Sequence, residues 1–321
     1  MTFFHKLLSF GLLYTLIFSY SVDYHLTSLD SPPEDLIWCG NARDTIFILT
    51  ETSSVYKSTD KGFSWKNLND EFSSTAELER ESPTDKLGKV SRMIHSPVDK
   101  SLIIFLGSEG FSWIVEGCGN SIRALFQGRP IKEFIFHPTE RNWGLASAFS
   151  LCEDYRDEPC RIVKELFVTQ TLGNDWKILG DYIHQFSWGV KDISQVKAGV
   201  PKERIILTYQ PRGRGHQTFD KKWDYKVDLV YSDDFFVTKH VGVRKGNRFL
   251  LTSKYLYVSQ VIDQETQEVQ LLHALATSKI YDFHPIVTNQ NTFKEHSFSF
   301  LDTTEDMVFL YINNFGLNSK Y

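Results

Sequence analysis

The sequence predicts an all-β chain: a β-propeller of four-stranded blades, with about five blades forming the arc of a larger ring. Three observations lead there. The first is the stretch "STDKGFSW", residues 58–65. Ser58, Asp60, Gly62, Ser64 and Trp65 have the spacing of a tight strand-to-strand turn. Asp60 can accept the N–H groups of its own turn, Gly62 can take the φ > 0 position, and Trp65 anchors the entry to the next strand. The second is repetition. "LFVTQTLGNDW" sets Thr169, Thr171, Gly173 and Trp176 in the frame of Ser58, Asp60, Gly62 and Trp65. "WIVEGCGNSI", "LVYSDDFFVT" (Ser232, Asp234, Thr238, with Phe236 in place of glycine) and "LLHALATSKI" are weaker copies. The Asp positions fall at 60, 117, 171, 234 and 276, a spacing of about 55 residues that suits propeller blades rather than short solenoid repeats.

The third observation is the strands that lead into each turn. "LIW", "TIFILT" and "SVYK" precede the first copy; "IKEFIFH", "WGLASAF" and "ELFVT" the third; "QFSW", "RIILTY" and "KVDLVY" the fourth. Three β-rich runs, the turn, then a fourth strand make one blade. No segment carries a helical period. After the fifth copy, "FSFLD" and "MVFLYI" begin a sixth group, so the expectation is the N-terminal part of a larger propeller, since an open blade exposes strand edges.

The chain has 321 residues, 41% of them hydrophobic and 14% aromatic, enough for a large core, and a net charge of −5 gives no reason to expect nucleic acid as a partner. His5 and Lys6 precede an apolar run, Leu7 to Phe18, that ends in Ser19-Tyr20-Ser21. That run is shorter than the roughly 20 residues needed to span a bilayer. Residues 1–21 therefore read as a secretory signal peptide and 22–321 as the propeller part, in an oxidising lumen. Of the four cysteines, Cys152 and Cys160 bracket "EDYRDEP" and predict a local disulfide. Cys39 and Cys118 pair with each other or with something outside the chain.

The combination of the box, "FIFHPTERNWGLA", the Cys-flanked loop running into "LFVTQTLGNDWKILGDYIHQFSWG", then "LVYSDDFF", "GNRFLLTSKYLYVS" and "FLDTTEDMVFLYI" resembles the luminal domain of the sortilin family of vacuolar protein sorting receptors. The resemblance implies a ten-bladed ring, continued by cysteine-rich modules, a transmembrane segment and a cytosolic tail, in a Golgi and endosome receptor for cargo proteins or propeptides. It further implies ligand contact at Ser259, Gln270, Leu271 and Phe298. Gln270 stands where an arginine would bind a ligand carboxylate, and a neutral amide cannot supply that bidentate, charge-assisted pairing.

Two other classes share parts of the pattern. Sialidase-like glycoside hydrolases use the same boxes but need an arginine cluster and a Tyr/Glu pair; the nearest string, "GRPI" at 128–131, is misordered and late. Asp233-Asp234 and Glu153-Asp154 fall at turns, where capping roles are the default. The histidines, among them His137 and His184, show no HExxH or Cys/His cluster, so neither metal nor cofactor is expected. A secreted adhesion or scaffold propeller is the remaining alternative. The basic stretch 210–226 reads as a solvated insertion.

Overall fold

The computed structural model describes residues 26–77, 89–107, 111–125, 131–150, 163–211, 227–263, 265–266, 268–286, 293–294, 298–303 and 308–312. Five sheets follow one another along the chain, each an antiparallel meander in sequence order. The first holds β1 (Pro33–Cys39), β2 (Thr45–Thr50), β3 (Val55–Ser58) and β4 (Lys66–Asn67). The second holds β5 (Val90–His95), β6 (Ile103–Gly107), β7 (Ser112–Glu116) and β8 (Ser121–Ala124). The third holds β9 (Ile131–Phe136), β10 (Gly144–Ser150), β11 (Val163–Thr169) and β12 (Lys177–Gly180). The fourth holds β13 (Ile183–Trp188), β14 (Ile205–Tyr209), β15 (Asp228–Ser232) and β16 (His240–Val243). The fifth holds β17 (Gly246–Leu251), β18 (Tyr255–Asp263), β19 (Glu268–Leu275) and β20 (His284–Pro285), with β21 (Phe293–Lys294) also paired to β19. β22 (Phe298–Thr303) and β23 (Val308–Ile312) form a separate hairpin. The sheets are the five blades that the repeat predicts.

The apolar cores lie between blades. One cluster joins Phe47, Leu49 and Val55 of the first blade to Ile103, Phe105 and Trp113 of the second. Others join the second to the third, the third to the fourth, and the fourth to the fifth. The second strand of a blade is covered on both faces, which is why "TIFILT" and "RIILTY" read as continuous apolar runs rather than alternating ones. Fourth strands are short and exposed, as edges should be.

Among the described residues, two helices depart from the all-strand expectation. α1 (Asn69–Glu77) follows the first blade and inserts Phe72 against Phe105 and Trp113, whose Nε1 donates to the Phe72 carbonyl at 3.1 Å. Asn67 accepts from the Asn69 N–H at the helix start, and Asp70 and Glu71 favour that end electrostatically. Its nine residues bury too few side chains to establish a 3.6-residue period. α2 (Ile193–Lys197) is capped by Asp192 and buries Gln195, whose Nε2 donates to the Thr252 and Ser253 carbonyls of the fifth blade.

Cys39, at the end of β1, and Cys118, in the β7–β8 turn, form a disulfide with a Cα–Cα distance of 5.7 Å, resolving the pairing that the sequence left open. Cys152 and Cys160 lie outside the described residues.

Candidate functional site

The box turns are built alike in three blades. Ser58 Oγ donates to Asp60 Oδ1 (2.7 Å) and accepts from the Gly62 N–H (2.8 Å), while Asp60 accepts from the Ser64 N–H and Oγ. Ser232, Asp234, Phe236 and Thr238 repeat each of those bonds. In the third blade Thr169 accepts from the Gly173 N–H, and the Thr171 hydroxyl replaces the carboxylate by accepting from the Asp175 N–H. Lys61, Cys118 and Leu172 each donate their N–H to the turn before the second strand, at Asp44, Ser101 and Asn142. This is why the boxes keep their frame when their residues change. Phe236 adopts φ 61° where the first box has Gly62 at 96°, and the Ser232 and Asp234 bonds hold that strained conformation.

Trp65 and Trp176 are half-buried, and each indole N–H caps its own turn by donating to Gly62 or Gly173 at 3.0 Å. Trp65 therefore closes the turn rather than filling the blade core.

Hydrogen bonding to Ser64, and then to Ser58, depresses the Asp60 carboxyl to about 2; Thr238 and Ser232 do the same for Asp234. Since both are lowered from an ordinary value of 3.8, their contribution is complete above that value and is lost as the pH falls through about 2. Asp60→Asn is expected to remove part of the stability difference between pH 5 and pH 2. Acid titration of the melting temperature checks this, and an unchanged slope counts against the turn-pinning role.

Each first strand carries a β-bulge at the same step. The bulged residues are Glu34, Ser91, Lys132, His184 and Asn247. Each is followed by a polar residue: Asp35, Arg92, Glu133, Gln185 and Arg248. A bulge turns the strand and re-aims a side chain, so this row sets which groups each blade presents. Sequence reasoning missed it because the residue types differ. The available signal was a pair of consecutive polar residues breaking the alternation at one place in every first strand.

A second site escaped the sequence reading. Arg204 is fully buried between the fourth and fifth blades, bound through Nε and Nη2 to both oxygens of Asp233 at 2.6 and 2.9 Å. It also donates to the Ser278 and Lys279 carbonyls and lies against the Tyr231 and Tyr281 rings. Burial pushes the Tyr281 hydroxyl up to about 12. Asp233 thus holds Arg204 from within the fourth blade as it reaches to the fifth, while Asp234 beside it belongs to the box.

His137 is buried where the third and fourth blades meet. Its Nδ1 accepts from the Thr139 and Glu140 N–H groups, so its Nε2 carries the hydrogen and donates to the Lys202 carbonyl at 3.0 Å. Burial lowers its pKa from 6.5, despite the Lys202 bond and Glu140, which act the other way. A histidine held neutral in the fold stabilises fully above about pH 6.5, and that contribution is lost as the pH falls below it, at most about 1.4 kcal/mol per pH unit. Acidification from pH 7 to 5 is therefore expected to lower the stability of the protein, and His137→Gln to flatten the dependence. Chemical denaturation at several pH values measures both slopes.

Of the residues implied to contact ligand, Ser259 and Leu271 face each other across β18 and β19 and are buried, at 0% and 1% exposure. Gln270 pairs with Gln260 in the same ladder and is half-buried. Phe298 starts β22, in a different sheet; its backbone pairs with Ile312, and its side chain lies outside the described residues. The first three are neighbours in one ladder, but Gln270 lies on the opposite face of the sheet from the Ser259–Leu271 pair.

Sequential four-stranded sheets, cores between successive sheets and hydrogen-bonded box turns define the protein as an Asp-box β-propeller. The chain belongs to the Sortilin-Vps10 family, whose model, described as "Sortilin, neurotensin receptor 3", matches residues 53–320. It is 23% identical over 188 residues to a Vacuolar protein sorting/targeting protein 10 of Schizosaccharomyces japonicus, covering 58% of this chain and 12% of that protein. It is 22% identical over 287 residues to the Sortilin-related receptor of Mus musculus, covering 85% of this chain and 11% of the relative. The chain thus spans about a ninth to an eighth of the length of these relatives. Similar solved structures include an ancestral GH74 enzyme (TM-score 0.42, 12% identity, 80% of this chain and 31% of that one) and the tricorn protease (TM-score 0.43, 9% identity, 81% and 32%). Among the described residues no helix is long and apolar enough to cross a membrane.

Proposed function

We propose that this chain is a luminal part of a sorting receptor, binding cargo proteins or propeptides in the secretory pathway for Golgi-to-endosome, vacuole or lysosome transport. The carrying observation is the family match over residues 53–320, which spans the blade repeat. The box carboxylates Asp60 and Asp234 are tied into their own turns, and Asp233 into an ion pair with buried Arg204, which supports binding rather than acid–base chemistry on these groups. Cargo contact includes Gln270, with Ser259 and Leu271 shaping the strand pair beneath it and Phe298 on the neighbouring hairpin. Residues 1–21 act as the signal peptide. Membrane attachment comes from a C-terminal transmembrane segment, placing the receptor in the trans-Golgi network and endosomes.

Deleting the gene in cells tests this. Lumenal hydrolases or precursors should be secreted instead of retained, and crosslinking should recover those same proteins with the tagged receptor. Normal retention, or sialoside turnover by the purified protein with no cargo crosslinked, overturns it.

A further inference from the structure

The connections at one end of the blades carry a pattern that neither the box turns nor the blade cores account for. In a four-stranded meander the first-to-second and third-to-fourth connections share one end. Bonds between loops tie that end together from blade to blade: the Gly40 N–H donates to the Lys100 carbonyl, Arg141 Nε to Asp99, His137 Nε2 to the Lys202 carbonyl and Gln195 Nε2 to the Ser253 carbonyl. Five large apolar side chains stand exposed on these connections, Phe63, Val98, Ile193, Val237 and Ile280, from 42% at Val98 to 78% at Ile280. Phe63 and Val237 occupy the same step of the first and fourth boxes. Each of the five has an exposed lysine one or two residues away: Lys61, Lys100, Lys191, Lys239 and Lys279. A single exposed apolar residue is ordinary on a protein surface, so it is the repeated lysine pairing on one end that calls for an explanation. Among the described residues the opposite end shows no such pairing; Ile262 is exposed there, next to Asp263.

We infer that this end of the blades is a membrane-contact surface, in which the apolar side chains enter the interface of an anionic lipid layer and the lysines meet its headgroups. Apolar area leaving water and lysines reaching anionic headgroups along their stems add up on the same partner. The acids of this end do little to cancel the lysines. Asp60 and Asp234 are held in their boxes, Asp99 by Arg141, Asp192 at the start of α2 and Asp233 by Arg204. Exposed acids there include Asp44, Asp175 and Asp282. Charge complementarity also selects the kind of partner. A protein would have to supply an acid beside each of five apolar contacts spread over four blades, whereas a lipid layer presents both chemistries everywhere. The third blade, with Asn174 at the box step and Asp175 beside it, contributes no such pair. This surface goes beyond the sorting-receptor reading and does not depend on it.

The test sediments the purified, secreted protein with vesicles of phosphatidylcholine alone and of phosphatidylcholine mixed with phosphatidylserine. The parent should bind the mixed vesicles more tightly, and added salt should weaken that preference. Lys61→Gln/Lys279→Gln should weaken binding to the mixed vesicles roughly tenfold, and Val237→Ser/Ile280→Ser should weaken it by about as much. Asn174→Phe, which gives the third blade the apolar residue it lacks at the box step, should strengthen binding several-fold, and a gain of affinity cannot be explained by misfolding. Failure of the parent to sediment with the mixed vesicles overturns the surface. So does parental binding in both double variants, each melting as the parent does. Equal binding to the two kinds of vesicle, unmoved by the lysine pair, overturns the anionic-lipid assignment. Soluble glycerophosphoserine should not compete, because it offers the apolar residues nothing; competition by it as strong as by unlabelled vesicles overturns the membrane assignment.

Discussion

Replacing Arg204 with alanine is expected to destabilise the protein by about 3–5 kcal/mol, the range for removing one partner of a buried, hydrogen-bonded ion pair. The guanidinium is fully buried, satisfies both Asp233 oxygens and donates to two backbone carbonyls of the fifth blade. Alanine leaves all of those acceptors without their donor and opens a void between Tyr231 and Tyr281. Arg204→Lys keeps the charge but not the planar fork and should recover less than half of the loss. Gly189 is the supporting evidence for a tight fit, since a Cβ there would stand 2.1 Å from the Arg204 Cγ. Gly189→Ala is accordingly expected to destabilise in the same direction. Urea denaturation measures the loss, and hydrogen exchange should locate it first at β17 to β19. A change below about 1 kcal/mol for Arg204→Ala would show that the buried guanidinium is not holding the fourth and fifth blades together.

Removing the Cys39–Cys118 disulfide should have an effect of similar size. It links residues 79 apart in sequence, and a loop of that length restricts the unfolded chain by about 4.5 kcal/mol on the chain-entropy model. The Cys39→Ser/Cys118→Ser double variant should melt well below the oxidised protein, and the reduced parent, which also loses the expected Cys152–Cys160 bridge, at or below the double variant. The loss should show in the first two blades, which the bridge staples beside their shared core. Equal melting of oxidised and reduced parent would remove this role. Peptide mapping without reductant checks the pair and tests the Cys152–Cys160 bridge in the same run.

How much was legible follows from the range of the interactions. The blade count was readable because each box is a local device: the bonds among Ser58, Asp60, Gly62 and Ser64 that close the turn reach no further than four residues. The Thr169 and Ser232 copies were readable for the same reason, even with Thr171 in place of the acid and Phe236 in place of glycine. The depth of Trp65 was not, because the same residue type serves as a core anchor or as a lid on its own turn. Only its donation to Gly62 distinguishes the two. α1 was hidden because, among its described side chains, only Phe72 is buried, through contacts with Phe105 and Trp113 more than 30 residues away.

The sequence by itself determined the strand meander, the frame of the turns and the family, since these depend on neighbours along the chain and on residue patterns that survive substitution. Tertiary structure alone decided the partners of long reach: Cys39 with Cys118, Arg204 with Asp233 and the Ser278 and Lys279 carbonyls, and Gln185 with Phe249. The disulfide, the Arg204 donations to Ser278 and Lys279 and the Gln185–Phe249 clamp each span a junction between blades, while Asp233 holds Arg204 from within the fourth blade. Whether an arginine, a cysteine or a glutamine is a surface group or a buried clasp is set by which blade packs against it. That is a property of how the sheets stack about the axis, and no spacing within a single repeat encodes it.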